Sequence, residues 1–412
     1  MTALKSKCED KVFSTMDIYE RSYYKIVKSF ASFIGQWPYQ SRLQRLVLEF
    51  LLWNLFIIQI IPQVVSLVDH FKDLDVVLEL LSAFIMDLAY IAKYSNAIIK
   101  AKLIKRIFEK IKEDWKILRS DQEKLILEYH LKMGQYLSIG YTGFANLALL
   151  VFILDPIFPI IIDKFSESND SLPRRFAVPM EFVVCDQQKY YWSLLSLSNF
   201  CIISIIMVII CCDVLFISFV QHVCGIFAVV GFRIEHAPNV IIPHEILKDS
   251  NFGSNYQDVH YRHIVTCIRD HRRALEFAEL IETTFTESFG IVVGLNLPIM
   301  SITAVQIMAE TNSIQDTVKN IMFTGAQLVH LFFDCYMSQR LTDMSSHIHD
   351  CITRAKWYEI SARSRKLLIL MTLRSQVPCK LTAAKVMDLS IESFGVCVKT
   401  AGSYFTMLMS MR

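Results

Sequence analysis

Asp388, Glu392, Lys399, Ser403, Thr406 and Ser410 follow one another at spacings of 4, 7, 4, 3 and 4 within the last apolar stretch, Leu381 to Met411. At about 100° per residue they share one face of a helix. The chemistry of such a stripe is solvation, because hydroxyls and charges in an apolar helix must face protein or water, which lipid cannot replace. Packing against the helix's own bundle and lining a pore both meet that need. The stretch ends one residue before Arg412, so this span is expected to be functional itself and not to carry a domain beyond it. Nothing catalytic competes with this reading. No nucleophile beside a base, no phosphate-cradling loop, and no CxxC or Cys/His metal spacing stands out among the eleven cysteines and eleven histidines, so no catalytic residue, cofactor or metal is expected. His222, His236, His244, His347 and His349 fall in segments read as cytosolic and are expected to cap or solvate.

The elements that hold the stripe are membrane spans. Hydrophobic residues make up 53% of the chain, mean hydropathy is +0.37, and there are only 12 glycines in 412 residues, a composition too apolar for a soluble protein. The net charge of +2 says nothing about nucleic acid, and no basic patch with interleaved aromatics suggests it, so no nucleic-acid partner is expected. Seven windows have span length: 46–68, 76–99, 132–155, 190–220, 285–309, 318–338 and 385–411. Lys and Arg total 33 in residues 1–45, 93–132, 221–275 and 340–380, against 6 in the intervening loops. The expected topology therefore has a cytosolic N-terminus and an extracellular C-terminus. Asn169-Asp170-Ser171, the candidate glycosylation triplet, falls in the longest exterior loop. This is the reverse of a G-protein-coupled receptor. The third span lacks an acidic-Arg-Tyr ending and the seventh lacks Asn-Pro-x-x-Tyr.

Several cytosolic segments are expected to be helical. The fourth apolar run continues from Trp192 to Phe232, roughly 60 Å as a helix and about twice a hydrocarbon core, so it should protrude. In 98–118, Ile104, Ile107, Phe108, Ile111, Trp115 and Leu118 form one stripe; a membrane-surface helix and a helix packed on other cytosolic helices both fit it. Leu367 to Met371 lie in a segment, 359–374, too short to span and too apolar for solvent. Subunit contact is the natural place to bury it. The chain divides into a cytosolic segment (1–45), six spans with an outer pocket and cytosolic extensions (46–355), and an anchor helix with the seventh span (356–412).

Three stretches carry a resemblance. They are His271 to Glu282 (HRRALEFAELIE), Lys356 to Ile360 (KWYEI) with Arg363 to Pro378 behind it, and Leu389 to Phe394 followed by Lys399 to Leu408 (KTAGSYFTML). In this order and spacing they resemble the insect odorant receptor family, the inside-out seven-span ligand-gated cation channels of chemosensory neurons. The Ser403-Tyr404-Phe405 ending and short second cytosolic loop look like a ligand-selective subunit, not the shared co-receptor, whose ending has Thr. Gustatory receptors usually carry Gln-Phe after a Thr-Tyr motif, which is absent here.

The resemblance implies an all-α membrane protein of seven transmembrane helices in a heterotetramer with odorant co-receptor subunits. Such a protein sits in lipid at the plasma membrane of the sensory dendrite, holds a small apolar volatile ligand, and conducts cations non-selectively. It implies a gate at Met409 with Leu408 beside it, five residues beyond Tyr404. The polar stripe would instead turn Thr406 and Ser410 toward the pore. It also implies an odorant site in the outer halves of the second, third, fourth and sixth spans, which hold Phe84 and Leu88, Tyr141 and Phe144, Trp192 and Phe200, and Met322 and Phe323. The alternatives are a gustatory-like channel, a metabotropic seven-helix receptor and a transporter. A transporter would usually show inverted repeats and Gly/Pro-broken helices.

Overall fold

The structure is a computed structural model that describes residues 18–160, 174–183, 186–237, 252–309 and 314–411. The helices that lie wholly among these residues are, in order, α1 (Ser22–Phe33), α2 (Arg42–Asp69), α3 (Leu74–Ile99), α4 (Ala101–Ile117), α5 (Asp121–Leu154), α6 (Tyr191–Glu235), α7 (Phe252–Ala309), α8 (Ile314–Arg354), α9 (Ala362–Ser375) and α10 (Ile391–Met411). Their starts are written in the sequence. Ser41, Asp73, Ser120 and Ser361 each accept a backbone N–H of the first turn they precede, which satisfies donors a helix leaves open. At α5 the carboxylate of Glu123 also reaches back to the Arg119 amide at 2.6 Å, a close relative of the capping box.

The seven expected windows fall on α2, α3, α5, α6, α7, α8 and α10. Among the described residues, α2, α5, α6 and α7 are long and apolar enough to cross a membrane by length and composition. Helices α3, α8 and α10 carry more ionisable and polar residues, which turn inward or toward an uncovered face. Helix α6 has 45 residues, roughly 67 Å at 1.5 Å per residue, about twice a hydrocarbon core.

The far ends of α6, α7 and α8 pack with α1, α4 and α9 into a cluster continuous with the core of the bundle. This settles the two readings of segment 98–118. Ile104, Ile107, Phe108 and Ile111 are buried inside the protein, with Phe108 edge-on to Tyr19, Trp37 and Phe219, so α4 is a packed helix and not a surface one. Buried polar groups stitch the cluster. Arg233 of α6 holds both oxygens of Glu123 at 2.8 and 2.7 Å, Asp270 of α7 at 2.5 Å and the Ile117 carbonyl at 3.1 Å. His222 sits between Tyr24 (2.8 Å) and Asp114 (3.2 Å), fully buried. It therefore bridges helices and does not cap or solvate as the sequence reading expected, while His236 does cap, on the Phe232 carbonyl.

The last span begins later than the apolar stretch suggests. Thr382–Ala383 and Met387–Asp388 pair as a two-stranded antiparallel hairpin, β1 and β2. Ala384 and Lys385 turn it at φ 52° and 59°, the left-handed pair that a tight hairpin needs. Asp388 is therefore off the helix and pairs with Lys380 at 2.5 Å, which corrects its place in the polar stripe. The hairpin docks on α7: Ala384 N–H donates to the Thr286 carbonyl at 2.8 Å and the Thr382 N–H to Glu282 at 2.9 Å. The contact needs Gly290, where an added Cβ would stand 2.3 Å from the Ala384 Cβ.

Candidate functional site

A cavity of about 150 Å³ opens among α2, α3, α5, α6, α7 and α8. Its aromatic side is Tyr141, Phe144 and Phe152 of α5 with Phe323 of α8, and its aliphatic side is Ile202, Ile206 and Ile209 of α6 with Ile299 of α7. Ala177 and Val178, from the loop before α6, close one end and are buried with Met180 against Leu80, Leu149 and Ile202. Ion pairs brace that end: Arg175 holds Asp155 at 3.0 Å and Asp316 at 2.7 Å, and Lys319 holds Glu79 at 2.6 Å and Asp155 at 3.6 Å. The opposite end carries Lys93, paired with Asp213 and 2.6 Å from His330. Tyr141 donates its hydroxyl to Asp213 at 2.5 Å. Among the described residues, Asp213, His330 and Asp334 bring ligand atoms within 4.8 Å of one another, a spacing a metal ion would accept. The Lys93 ammonium already binds two of the three, so the positive charge of that cluster is the protein's own.

The second feature is α10. Cys397 and Ala401 are buried, Phe394, Val398 and Leu408 pack on the chain's core, and Ser301 of α7 donates to the Ala401 carbonyl at 2.9 Å. Glu392, Lys399, Ser403, Thr406 and Ser410 are exposed on the opposite face. The Ser403, Thr406 and Ser410 hydroxyls bond their own helix's carbonyls at 3.1, 2.8 and 2.7 Å, so they leave the span helical while presenting a polar surface. The two features are linked by rings. Tyr141 lies 5.3 Å from Phe333, Phe333 lies 6.1 Å from Phe332, and Phe332 meets Phe394 of α10 edge-on at 5.6 Å.

The family model described as 7tm Odorant receptor matches residues 73–402, from the start of α3 into the exposed face of α10. The chain belongs to the odorant receptor family. Odorant receptor 13a of Drosophila melanogaster is 20% identical over 405 residues, covering 92% of this chain and 93% of that one. Odorant receptor 67c of the same fly is 20% identical over 199 residues, so there the chain spans 46% of the relative's length. Among solved structures, the insect olfactory receptor OR5 from Machilis hrabei superposes with a TM-score of 0.75 at 14% identity, over 96% of this chain and 99% of that one. At that identity the likeness establishes the fold: an all-α, seven-span membrane protein.

Within this odorant receptor the structure sorts the expected ligand residues. Tyr141, Phe144 and Phe323 line the cavity. Trp192 and Phe200 point out of the bundle at 56% and 53% exposure, Leu88 is exposed on α3, and Phe84 and Met322 are half-buried outside the lining. The cause is helical phase: in the first turns of α6 Tyr191, Leu194, Leu195 and Ser198 take the buried face, which leaves Trp192 and Phe200 facing out. Of the expected gate pair, Leu408 is turned into the subunit's own core and Met409 is half-buried at the flank of the polar face. Asn169 lies outside the described residues. Sequence reasoning missed the polar wall, above all Gln59, Gln63, Asp87 and Lys93. The signal was present, because an ionisable residue inside a span marks a site by default.

Proposed function

We propose that this odorant receptor is the odorant-binding subunit of a heteromeric, ligand-gated, non-selective cation channel, assembled with co-receptor subunits in the dendritic membrane of olfactory neurons. The observation that carries it is the polar face of α10, set opposite the face that packs on the subunit. A stripe turned away from its own bundle needs water or a neighbouring subunit, and a shared pore supplies both. We place Ser403, Thr406 and Ser410 along the conduction path and Met409 at its edge, with Leu408 following the movement of the core behind it. The N-terminus is cytosolic and α9 joins subunits through Ile369, Leu370 and Leu373, which are 58–62% exposed on this chain alone. The cavity is the odorant site. It binds a small ligand mostly by dispersion and desolvation, and the solved OR5 relative, described in complex with eugenol, holds a ligand of that size class.

The test is whole-cell current during an odorant panel, with and without an insect odorant co-receptor. Odorant-evoked cation current that needs both chains is expected. Current that needs a G-protein cascade and not the co-receptor would overturn the channel reading.

A further inference from the structure

The wall of the cavity is not uniformly apolar. Asp87, in the middle of α3, is 4% exposed and lines the cavity, and its Oδ2 has no hydrogen-bond partner. Its polar neighbour is Gln63 of α2. The Oε1 atoms of Gln63 and Gln59, one helical turn apart, also lack a donor although both residues are 2% exposed. Among the described lining residues the orphaned buried acceptors thus number three, against one orphaned donor, Asn296 Nδ2. The protein's own cations nearby are committed elsewhere. Lys93 is held by Asp213, and Lys319 and Arg175 by Glu79, Asp155 and Asp316.

A carboxyl group buried in a membrane bundle is costly to ionise without a counter-charge, and a cationic ligand is the partner that favours its charged form. An ionised carboxylate only accepts hydrogen bonds, and an ammonium brings three N–H donors and a positive charge to three orphaned acceptors. We infer that the ligand of this cavity is a small primary amine whose ammonium pairs with Asp87 and is fenced by Gln59 and Gln63. Its apolar part lies against Phe144, Phe152 and Phe323. A dry cavity near 150 Å³ holds a benzene ring, which matches the volume here, so an arylmethylamine is the fitting size. This deepens the reading of the cavity as the odorant site and rests on it.

The experiment compares benzylamine, benzyl alcohol and toluene on cells expressing the receptor with an insect co-receptor, and a co-receptor agonist reports assembly of every variant. Benzylamine should act at a half-maximal concentration about 10- to 100-fold lower than the alcohol, the range of a hydrogen bond to a charged group. Asp87→Asn should bring the two within about threefold, Asp87→Glu should restore part of the preference, and Gln63→Leu should weaken it if the Asn variant fails to assemble. Equal or better activation by the alcohol in the unaltered receptor, or an amine preference that survives Asp87→Asn, overturns the inference and leaves the odorant-site reading standing. Normal co-receptor agonist current with no response to any of the three compounds overturns the amine inference. Unchanged odorant responses after Phe323→Ala and Phe144→Ala would overturn the odorant-site reading itself.

Discussion

Arg233 shows how single residues hold this fold together. Burial alone would push the Glu123 carboxyl up, but the Arg233 hydrogen bond and charge, with the Arg119 amide, hold it below the usual range. Arg233→Met would leave Glu123 and Asp270 with only the half-exposed Arg119, 3.8 Å from Asp270, at a cost of up to about 3–5 kcal/mol. The expected result is a large loss of thermal stability in the detergent-extracted complex, partly recovered when Glu123→Gln and Asp270→Asn are added. In the cavity, Phe323 meets Phe152 at 6.1 Å, and Phe323→Ala should raise the half-maximal odorant concentration while co-receptor agonist current persists. Truncation costs about 3–5 kcal/mol in a closed core and less in a cavity wall. Tyr141, Phe144 and Phe323 were legible as aromatic residues at the right depth of their spans. Trp192 and Phe200 were equally aromatic and equally deep, and only the rotation of α6, which single-sequence periodicity does not fix in an all-apolar run, sends them outward.

At the scale of elements, the docked hairpin between α9 and α10 is the joint where the cluster of α1, α4 and α9 meets the seventh span. Gly290→Ala forces its Cβ onto Ala384, so the hairpin must leave α7 or shift along it. Currents from such a receptor should show altered gating with an unchanged order of odorant preference, measured by dose–response across a ligand series. The hairpin was illegible in the sequence because Leu381 to Met411 reads as one apolar run. Its turn uses Ala and Lys at positive φ where glycine or asparagine would have announced it. The long helices were legible, since span length, caps and the α6 overrun are written in hydropathy and in Ser41, Asp73, Ser120 and Ser361. A second element-scale prediction concerns α7 against α9. Burial, then the nearby Arg374 cation, pushes His271 down to about 4, below the ordinary value near 6.5. The folded state therefore keeps it neutral, and the stability this represents is present above about pH 6.5 and lost as pH falls toward about 4, up to about 3 kcal/mol. The packing of α7 on α9 should weaken over that window in thermal unfolding followed against pH, and His271→Gln should flatten that part of the profile.

At the scale of the whole molecule, a cavity walled by six helices is joined by Tyr141, Phe333, Phe332 and Phe394 to a seventh helix whose polar face its own bundle leaves open. Contiguity of this kind carries coupling only if α10 has two arrangements that the ligand biases. Phe332→Ala should therefore reduce odorant efficacy more than it changes odorant affinity, read as a lower maximal current at saturating ligand. Single cysteines placed along residues 401–410 of α10, co-expressed with the co-receptor and treated with a charged thiol reagent during odorant application, measure which face meets water in the open channel. Modification and current change are expected at Ser403→Cys, Thr406→Cys and Ser410→Cys, with weaker effects at Met409→Cys and none at Ala401 or Leu408. Reaction centred on Ala401 and Leu408, or none at any position while odorant current flows, would contradict a pore lined by the polar face of α10.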